Sequence, residues 1–276
     1  MRPLSEFALD ARRAARGVLF DIDDTLTTEG RLSAEAYAAL ERLQHAGLLT
    51  VPITGRPAGW CDHIARMWPV DGVVGENGAF YFRYDHFKRQ MVRRFVEGSG
   101  ARTRNRARLQ EIAQEIVHSV AGAAIAADQG YRETDLAIDF CEDVPRLQES
   151  AIDSIVKIMQ TRGLTAKVSS IHVNGWFGHY DKLTMTKRLI TECHGVDIDE
   201  ERARFVFIGD SPNDAPMFGY FPHAIGVANI CELASRIPHP PAYVTSERCG
   251  KGFREAADCI LAARGDWLKQ HDRPAK

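Results

Sequence analysis

Two rhythms of apolar and polar positions alternate along this 276-residue chain. Short continuous apolar runs predict buried strands, and segments with an apolar residue every three or four positions predict amphipathic helices. Their alternation predicts an α/β fold built on a parallel sheet. Gly17 to Ile22 is the first apolar run. Ser33 then offers an N-cap to a helix carrying Tyr37, Leu40 and Leu43 on one face, and Gly47 offers a stop just past its end. The pattern next predicts a strand over 48–53, a helix over 60–67, a strand over 71–74 and a hairpin arm over 79–84.

The rhythm changes between about 85 and 180. Strands are expected over 91–96 and 136–140, and helices over 104–120 and 145–161. Two more strands, over 164–169 and 171–177, have almost nothing between them and form a tight hairpin. This segment reads as an inserted α+β module. The earlier alternation then resumes with a helix over 182–193, a strand over 205–208, a helix over 212–218, strands over 224–227 and 242–245, and a helix over 251–264. The tail from Gly265 is expected to fray.

Composition narrows the partners. A hydrophobic content of 45% can supply the core of two domains, and a net charge of −2 gives no general attraction to nucleic acid or an anionic membrane. One local exception, the 88–108 stretch, sets eight Lys and Arg residues from Lys88 to Arg108 against Glu97 alone. It reads either as a solvated strand edge and helix start or as a surface for an anionic ligand or partner. The six cysteines form no C-x-x-C pair, so reduced thiols are expected and neither a zinc site nor a disulfide framework. No apolar run approaches the length of a membrane span, and Met1 to Arg16 carries no continuous apolar stretch of the kind that forms a signal-peptide core. A soluble, cytoplasmic protein is the expectation.

Ligands of an open parallel sheet bind beyond the carboxyl ends of its strands, and the polar motifs fall there. Asp21-Ile22-Asp23-Asp24-Thr25 ends the first strand. Crowded carboxylates repel one another, so they commonly hold a cation or do covalent chemistry. At positions i and i+2 they can divide the work, Asp21 ligating a metal and attacking an electrophile while Asp23 manages protons. The plainer reading is an acidic turn. Thr54 ends the second strand, Asn77 follows the third, Gly209 to Asp214 follows a later one, and Lys182 opens a helix. Carboxylates from two strand ends, with a lysine, a hydroxyl and glycine amides, suit Mg²⁺ and phosphate together.

With these residues in order, the chain resembles the haloacid dehalogenase (HAD) superfamily, in its Cof-like branch with a type C2 cap. The D-x-D-x-T motif falls on Asp21, Asp23 and Thr25, the second motif on Thr54 of Ile53-Thr54-Gly55-Arg56, the third on Lys182, and G-D-x-x-N-D on Asp210, Asn213 and Asp214. Glu76-Asn77-Gly78-Ala79 is similar to the segment that this branch carries before its cap. Many relatives have glycine after the third-motif lysine. Here Leu183 follows, so Lys187 remains the alternative to Lys182.

The resemblance implies a HAD-like Rossmannoid core over 1–84 and 180–276 and a cap over 85–179 that reads the leaving group. It implies a Mg²⁺-dependent phosphatase acting on a small phosphorylated molecule, with a sugar phosphate expected, through an aspartyl-phosphate. Asp21 is then the nucleophile and Asp23 the acid and base. The metal is held by Asp21, the main-chain carbonyl of Asp23 and Asp210, with the Asp214 side chain supporting its water shell, while Thr54 and Lys182 neutralise phosphoryl oxygens. Thr54, Gly55, Arg56, Asn77, His172, Asn174, Lys182 and Asn213 are the expected substrate contacts. His172 and Asn174 alternate along one strand and so share a face, although a His or Asn buried in a hairpin also serves structure. Trp176 and Phe177 either stack on a sugar ring or pack internally. A phosphomutase is the enzymatic alternative, and a binding or regulatory protein that has lost catalysis, with the 88–108 stretch as its partner surface, is another. Nothing in the sequence sets the oligomeric state.

Overall fold

The structure, a computed structural model, describes residues 1–271, with side chains as far as Arg264. The chain divides into two compact units. The first comprises Met1–Pro52, Pro69–Asp71 and the chain from Cys193, and the second comprises Ile53–Trp68 and Gly72–Glu192.

A parallel sheet of six strands organises the first unit, in the order Arg2–Pro3, Tyr243–Val244, Ile225–Gly226, Phe205–Gly209, Gly17–Phe20, Leu49–Pro52. The α/β fold with a parallel core is therefore as expected. Gly17–Phe20 and Phe205–Gly209 are buried at every position, which is why each reads as an unbroken apolar run and not as an alternating one. Gly17 is required at its position, because a Cβ there would stand 2.8 Å from the Phe205 ring. The helix Ala34–His45 starts where Ser33 accepts a hydrogen bond from the Ala36 amide at 3.3 Å, and it buries Ala36, Ala39, Leu40 and Leu43. Gly47 follows its end at φ +75°. Pro69–Asp71 joins this unit through Thr50, whose hydroxyl donates to the Pro69 carbonyl at 2.8 Å and whose amide donates to the Asp71 carboxylate at 2.9 Å. With Asp71 so employed, the strand expected over 71–74 begins only at Val73.

The second unit holds two antiparallel sheets. One has three strands, Val73–Gly75, Phe80–Asp85 and Gln90–Phe95. The other has four, in the order Ala124–Ile125, Asp135–Asp139, His172–Trp176, Thr165–Val168, and includes the expected tight hairpin. Leu136, Ile138, Phe140 and Val173 point from this sheet into a cluster with Leu109, Ile112 and Ile116 of the helix Ser99–Ser119 and Ile152, Ile155 and Met159 of the helix Glu149–Thr161. By the two-residue period, Asp135, Asp139, His172, Asn174 and Trp176 lie on the opposite face. All five are buried.

Boundaries shifted where side chains act on the backbone. The long helix begins at Ser99, ahead of position 104, and Arg102 in its first turn donates to the Glu97 carbonyl at 2.9 Å and lies 3.8 Å from the Phe95 ring. Helix 212–218 is split into a 3-10 turn, Pro212–Asp214, and an α-helix, Ala215–Tyr220. The final helix starts at Cys249 and its backbone runs through His271, so the tail from Gly265 remains helical to that point, and the rest lies outside the described residues. Arg2–Pro3, Leu9–Ala14 and Ala124–Ile125 are additional elements, too short for periodicity to register. Among the described residues no helix is long and apolar enough to cross a membrane.

Candidate active site

In the first unit the pairing of Phe20 with Ile208 brings two strand ends level. The Asp21 amide donates to the Ile208 carbonyl at 2.9 Å, so the acidic residues after each strand emerge side by side. Oxygens of Asp21, Asp210 and Asp214 lie within 4.8 Å of one another, and all three residues are buried. Thr25 donates its hydroxyl to Asp210 Oδ1 at 2.9 Å, and Asn229 donates Nδ2 to Asp210 Oδ2 at 3.2 Å. Asp214 accepts from the Asp210 amide at 3.1 Å and the Ser211 amide at 3.3 Å. Burial, and then the neighbouring charges of Asp21, Asp214 and Asp24, push the Asp210 carboxyl well above the usual range. Three hard oxygen donors in one buried cluster fit a divalent cation such as Mg²⁺.

The other residues of this unit take distinct positions. Asp23 is half-buried and its carboxylate is not one of the three clustered groups. Asp24 sits at φ +54°, with its carbonyl accepting from Asn229 Nδ2 at 3.0 Å. Asn213 is buried and accepts the Ser211 hydroxyl at 2.7 Å. Asn229 was not among the expected site residues. It reaches the acidic cluster across 19 positions, from a 3-10 segment whose sequence carries no motif.

The second unit assembles most of the expected phosphate and substrate contacts around one loop. Thr54 is fully buried. Its amide donates to the Val74 carbonyl at 2.9 Å, its carbonyl accepts from the Asn77 amide at 3.0 Å, and its hydroxyl accepts from the Arg56 amide at 2.9 Å. A Cβ on Gly55 would stand 3.2 Å from Asn77 Nδ2 and 3.6 Å from Asn174 Oδ1, so these groups converge on the glycine. Asn77 and Gly78 both adopt positive φ, and a Cβ on Gly78 would collide with the Asp181 carbonyl. That close approach places the turn against the start of the helix Lys182–His194. Lys182 is buried there, and Lys187 is half-buried further along the helix.

A buried ionic network supports this loop. Arg132 donates to the Gly55 carbonyl at 2.9 Å, to Asp135 at 3.0 Å and to Asp128 at 3.0 Å, and its side chain is wholly buried. Asn174 donates to Asp135 at 3.0 Å. Arg56 pairs with Glu142 at 2.6 Å and Asp128 at 3.5 Å and lies 4.4 Å from the Trp60 ring. His172 Nε2 approaches Glu142 at 2.9 Å. His172 and Asn174 do share a face, as expected, and each is engaged by an acidic residue. Trp176 is buried, with its ring stacked 5.5 Å from Tyr180, which leaves it no face for a sugar. Phe177 lies under Arg108 at 3.7 Å.

Glu76 is the least anticipated member. Fully buried, it accepts from the amides of Ala58 at 3.0 Å, Glu133 at 2.9 Å and Thr134 at 2.7 Å, and from the Thr134 hydroxyl. Burial, followed by the charge of Asp135, raises its carboxyl to about 7. Asp128, Arg132, Asp135 and Glu142 were likewise unforeseen, being scattered acids and bases with no motif spacing. The basic 88–108 stretch is largely engaged within this unit, Arg93 with Asp62 at 2.5 Å, Arg106 with Glu133 at 3.2 Å and Arg94 with Glu192 at 3.8 Å.

Comparison with known proteins finds similar hydrolases. The family of haloacid dehalogenase-like hydrolases matches over residues 18–98, which covers the Asp21 motif, Thr54 and Glu76 to Ala79. Over that stretch the chain is similar to the haloacid dehalogenase-like hydrolases. Phosphoglycolate phosphatase 1 of Saccharolobus solfataricus is 25% identical over 91% of this chain and 98% of its own. The protein 0175 of Thermoplasma acidophilum has a similar structure, with a TM-score of 0.67 at 18% identity over 90% of this chain and 98% of its own. The trehalose-6-phosphate phosphatase C-terminal domain of C. albicans aligns with a TM-score of 0.65 at 14% identity, over 92% of this chain and 95% of its own. The expectation of a HAD-family phosphatase is borne out at this level.

Proposed function

We propose that this phosphatase is a Mg²⁺-dependent hydrolase of a small phosphate ester, a sugar phosphate by preference, working through an aspartyl-phosphate on Asp21. The observation that carries the reading is the buried cluster of Asp21, Asp210 and Asp214, whose mutual repulsion a divalent cation offsets. Asp21 and Asp210, with the Asp23 carbonyl, would hold Mg²⁺ while Asp214 supports its water shell, and the ion when bound would supply positive charge beside the phosphoryl oxygens.

The chain's own groups then account for the bond changes. The Asp21 carboxylate forms a bond to phosphorus as the bond to the leaving oxygen breaks, and the Asp23 carboxyl gives that oxygen its proton. Asp23, now a carboxylate, takes a proton from water as the water attacks phosphorus and frees Asp21. We read Thr54 and Lys182 as partners of the equatorial oxygens of the same phosphoryl group, a reading supported by the order of their motifs. Losing either is expected to cost on the order of 3 kcal/mol in the transition state. Segment 85–179, with Gly55, Arg56, Asn77 and Asn213, is read as the part that recognises the leaving group. The fold shared with a trehalose-6-phosphate phosphatase supports a sugar phosphate. A phosphate-release screen over sugar phosphates, run with and without EDTA, tests the reading. The parent should release phosphate only with Mg²⁺ and Asp21→Asn should release none. A parent that turns over no phosphate ester would sink it.

A further inference from the structure

We propose that Glu142 selects the leaving group by the sign of its charge, favouring neutral hydroxyl-bearing esters over carboxylate-bearing ones. This rests on the phosphatase reading above and names the substrate class within it. Glu142 belongs to a turn made rigid from one side. The Asp139 carboxylate, at the end of its strand, accepts from the amides of Cys141 at 2.9 Å, Glu142 at 2.7 Å and Asp143 at 2.8 Å. From that turn the Glu142 side chain is held by Arg56 at 2.6 and 3.3 Å and by His172 at 2.9 Å. Arg56 in turn follows Thr54 by two residues and donates its amide to the Thr54 hydroxyl. The carboxylate of Glu142 therefore stands about one arginine side chain from the group read as holding phosphate.

Exposure separates the members of this cluster. The side chains of Arg56 and His172 are 4% and 3% exposed, whereas that of Glu142 is 26% exposed. The acid is the face that the cluster offers to solvent. Both guanidiniums behind it are already committed, Arg56 to Glu142 and Asp128 and Arg132 to Asp128 and Asp135. Two cations are thus shared among three carboxylates. An arriving substrate carboxylate would have to displace Glu142 from Arg56 or lie against it as a like charge, and like-charge juxtaposition is how binding sites reject wrong ligands. Hydroxyls, by contrast, donate directly to a carboxylate that accepts charge-assisted hydrogen bonds. Burial alone would raise the Glu142 carboxyl, but hydrogen bonds from His172 and Arg56 hold it down at about 2, so it is an anion across the working pH range.

The test compares phosphoglycolate with 2-hydroxyethyl phosphate, esters of the same length that differ in a carboxylate against a hydroxymethyl group. Parent enzyme should favour the neutral ester by about tenfold or more in kcat/KM. Glu142→Gln should bring the ratio to within about twofold, a shift of roughly 1 kcal/mol in discrimination. Glu142→Asp, which keeps the charge, should retain the preference. Circular dichroism melting checks that each variant is folded, and the parent's own ratio decides the matter even where a variant is not. A parent that prefers phosphoglycolate, or a ratio that Glu142→Gln leaves unmoved, overturns the proposal. p-Nitrophenyl phosphate serves as a reporter of phosphoryl transfer without either leaving group. Turnover of it beside an absent preference defeats the charge filter alone, whereas no Mg²⁺-dependent turnover of any ester defeats the phosphatase reading itself.

Discussion

At the scale of the residue, Asp210 shows how position sets a carboxylate's character. Its two oxygens accept from Thr25 and Asn229, yet burial and the charges of Asp21, Asp214 and Asp24 still raise its pKa. Two neutral donors do not offset a desolvated like-charge cluster. A cation that binds the folded chain and not the unfolded one should therefore stabilise it. At a concentration one hundred times its Kd the gain is about 2.7 kcal/mol. Thermal melting with and without Mg²⁺ should show a rise of several degrees for the parent, and Asp210→Asn should lose most of it. An unchanged Mg²⁺ shift in that variant would remove Asp210 from the ligand set. The sequence made Asp21 and Asp210 legible because both follow apolar runs in a recognisable motif. It left Asn229 unseen, since a lone asparagine in a 3-10 segment has no spacing to mark it.

At the scale of the element, Glu76 is the group on which local order in the second unit depends. Its carboxylate gathers amides from the start of the helix Ala58–Met67 and from residues 133 and 134 just before the strand Asp135–Asp139. Glu76→Ala leaves three amide donors without this acceptor and should cost about 3–5 kcal/mol in urea unfolding. Glu76 also carries a pH signature. Its folded pKa, about 7, lies above the reference value of 4.5. Between those values the folded chain binds a proton that the unfolded chain does not, so this contribution falls as pH rises through the window, by on the order of 3 kcal/mol in all. The urea midpoint of the parent should drop between pH 5 and pH 8. Glu76→Gln, less stable because an amide replaces an acceptor oxygen, should show a flatter profile. An equally steep profile would assign the pH dependence elsewhere. Sequence periodicity located both elements that Glu76 joins, as a helix over 60–67 and a strand over 136–140. It gave no sign of the clamp, because a buried glutamate reads from sequence like any exposed one.

At the scale of the molecule, the residues of the proposed chemistry come from two units whose segments interleave along the chain. Asp21, Asp210 and Asp214 belong to the first, and Thr54 and Lys182 to the second. The order of motifs made this division legible as a list of residues, while the network of Arg56, Arg132 and Glu142 became visible only with the fold, because its members lie up to 86 positions apart. If the two sets act on one phosphoryl group, their losses should not be independent. Lys182→Ala removes the cation that the proposed mechanism assigns to the developing charge and should lower kcat/KM by about two orders of magnitude. Asp214→Asn weakens support for the acidic cluster and should cost about tenfold. Separate functions would make the double variant as poor as the product of the two losses. Groups that act as a unit on one transition state behave otherwise, because once one is gone the other has less to stabilise. The double variant should accordingly retain several times more activity than the product, measured as kcat/KM on p-nitrophenyl phosphate. A strictly multiplicative loss would show that Lys182 serves some step other than phosphoryl transfer, and Lys187→Ala would then be the variant to compare.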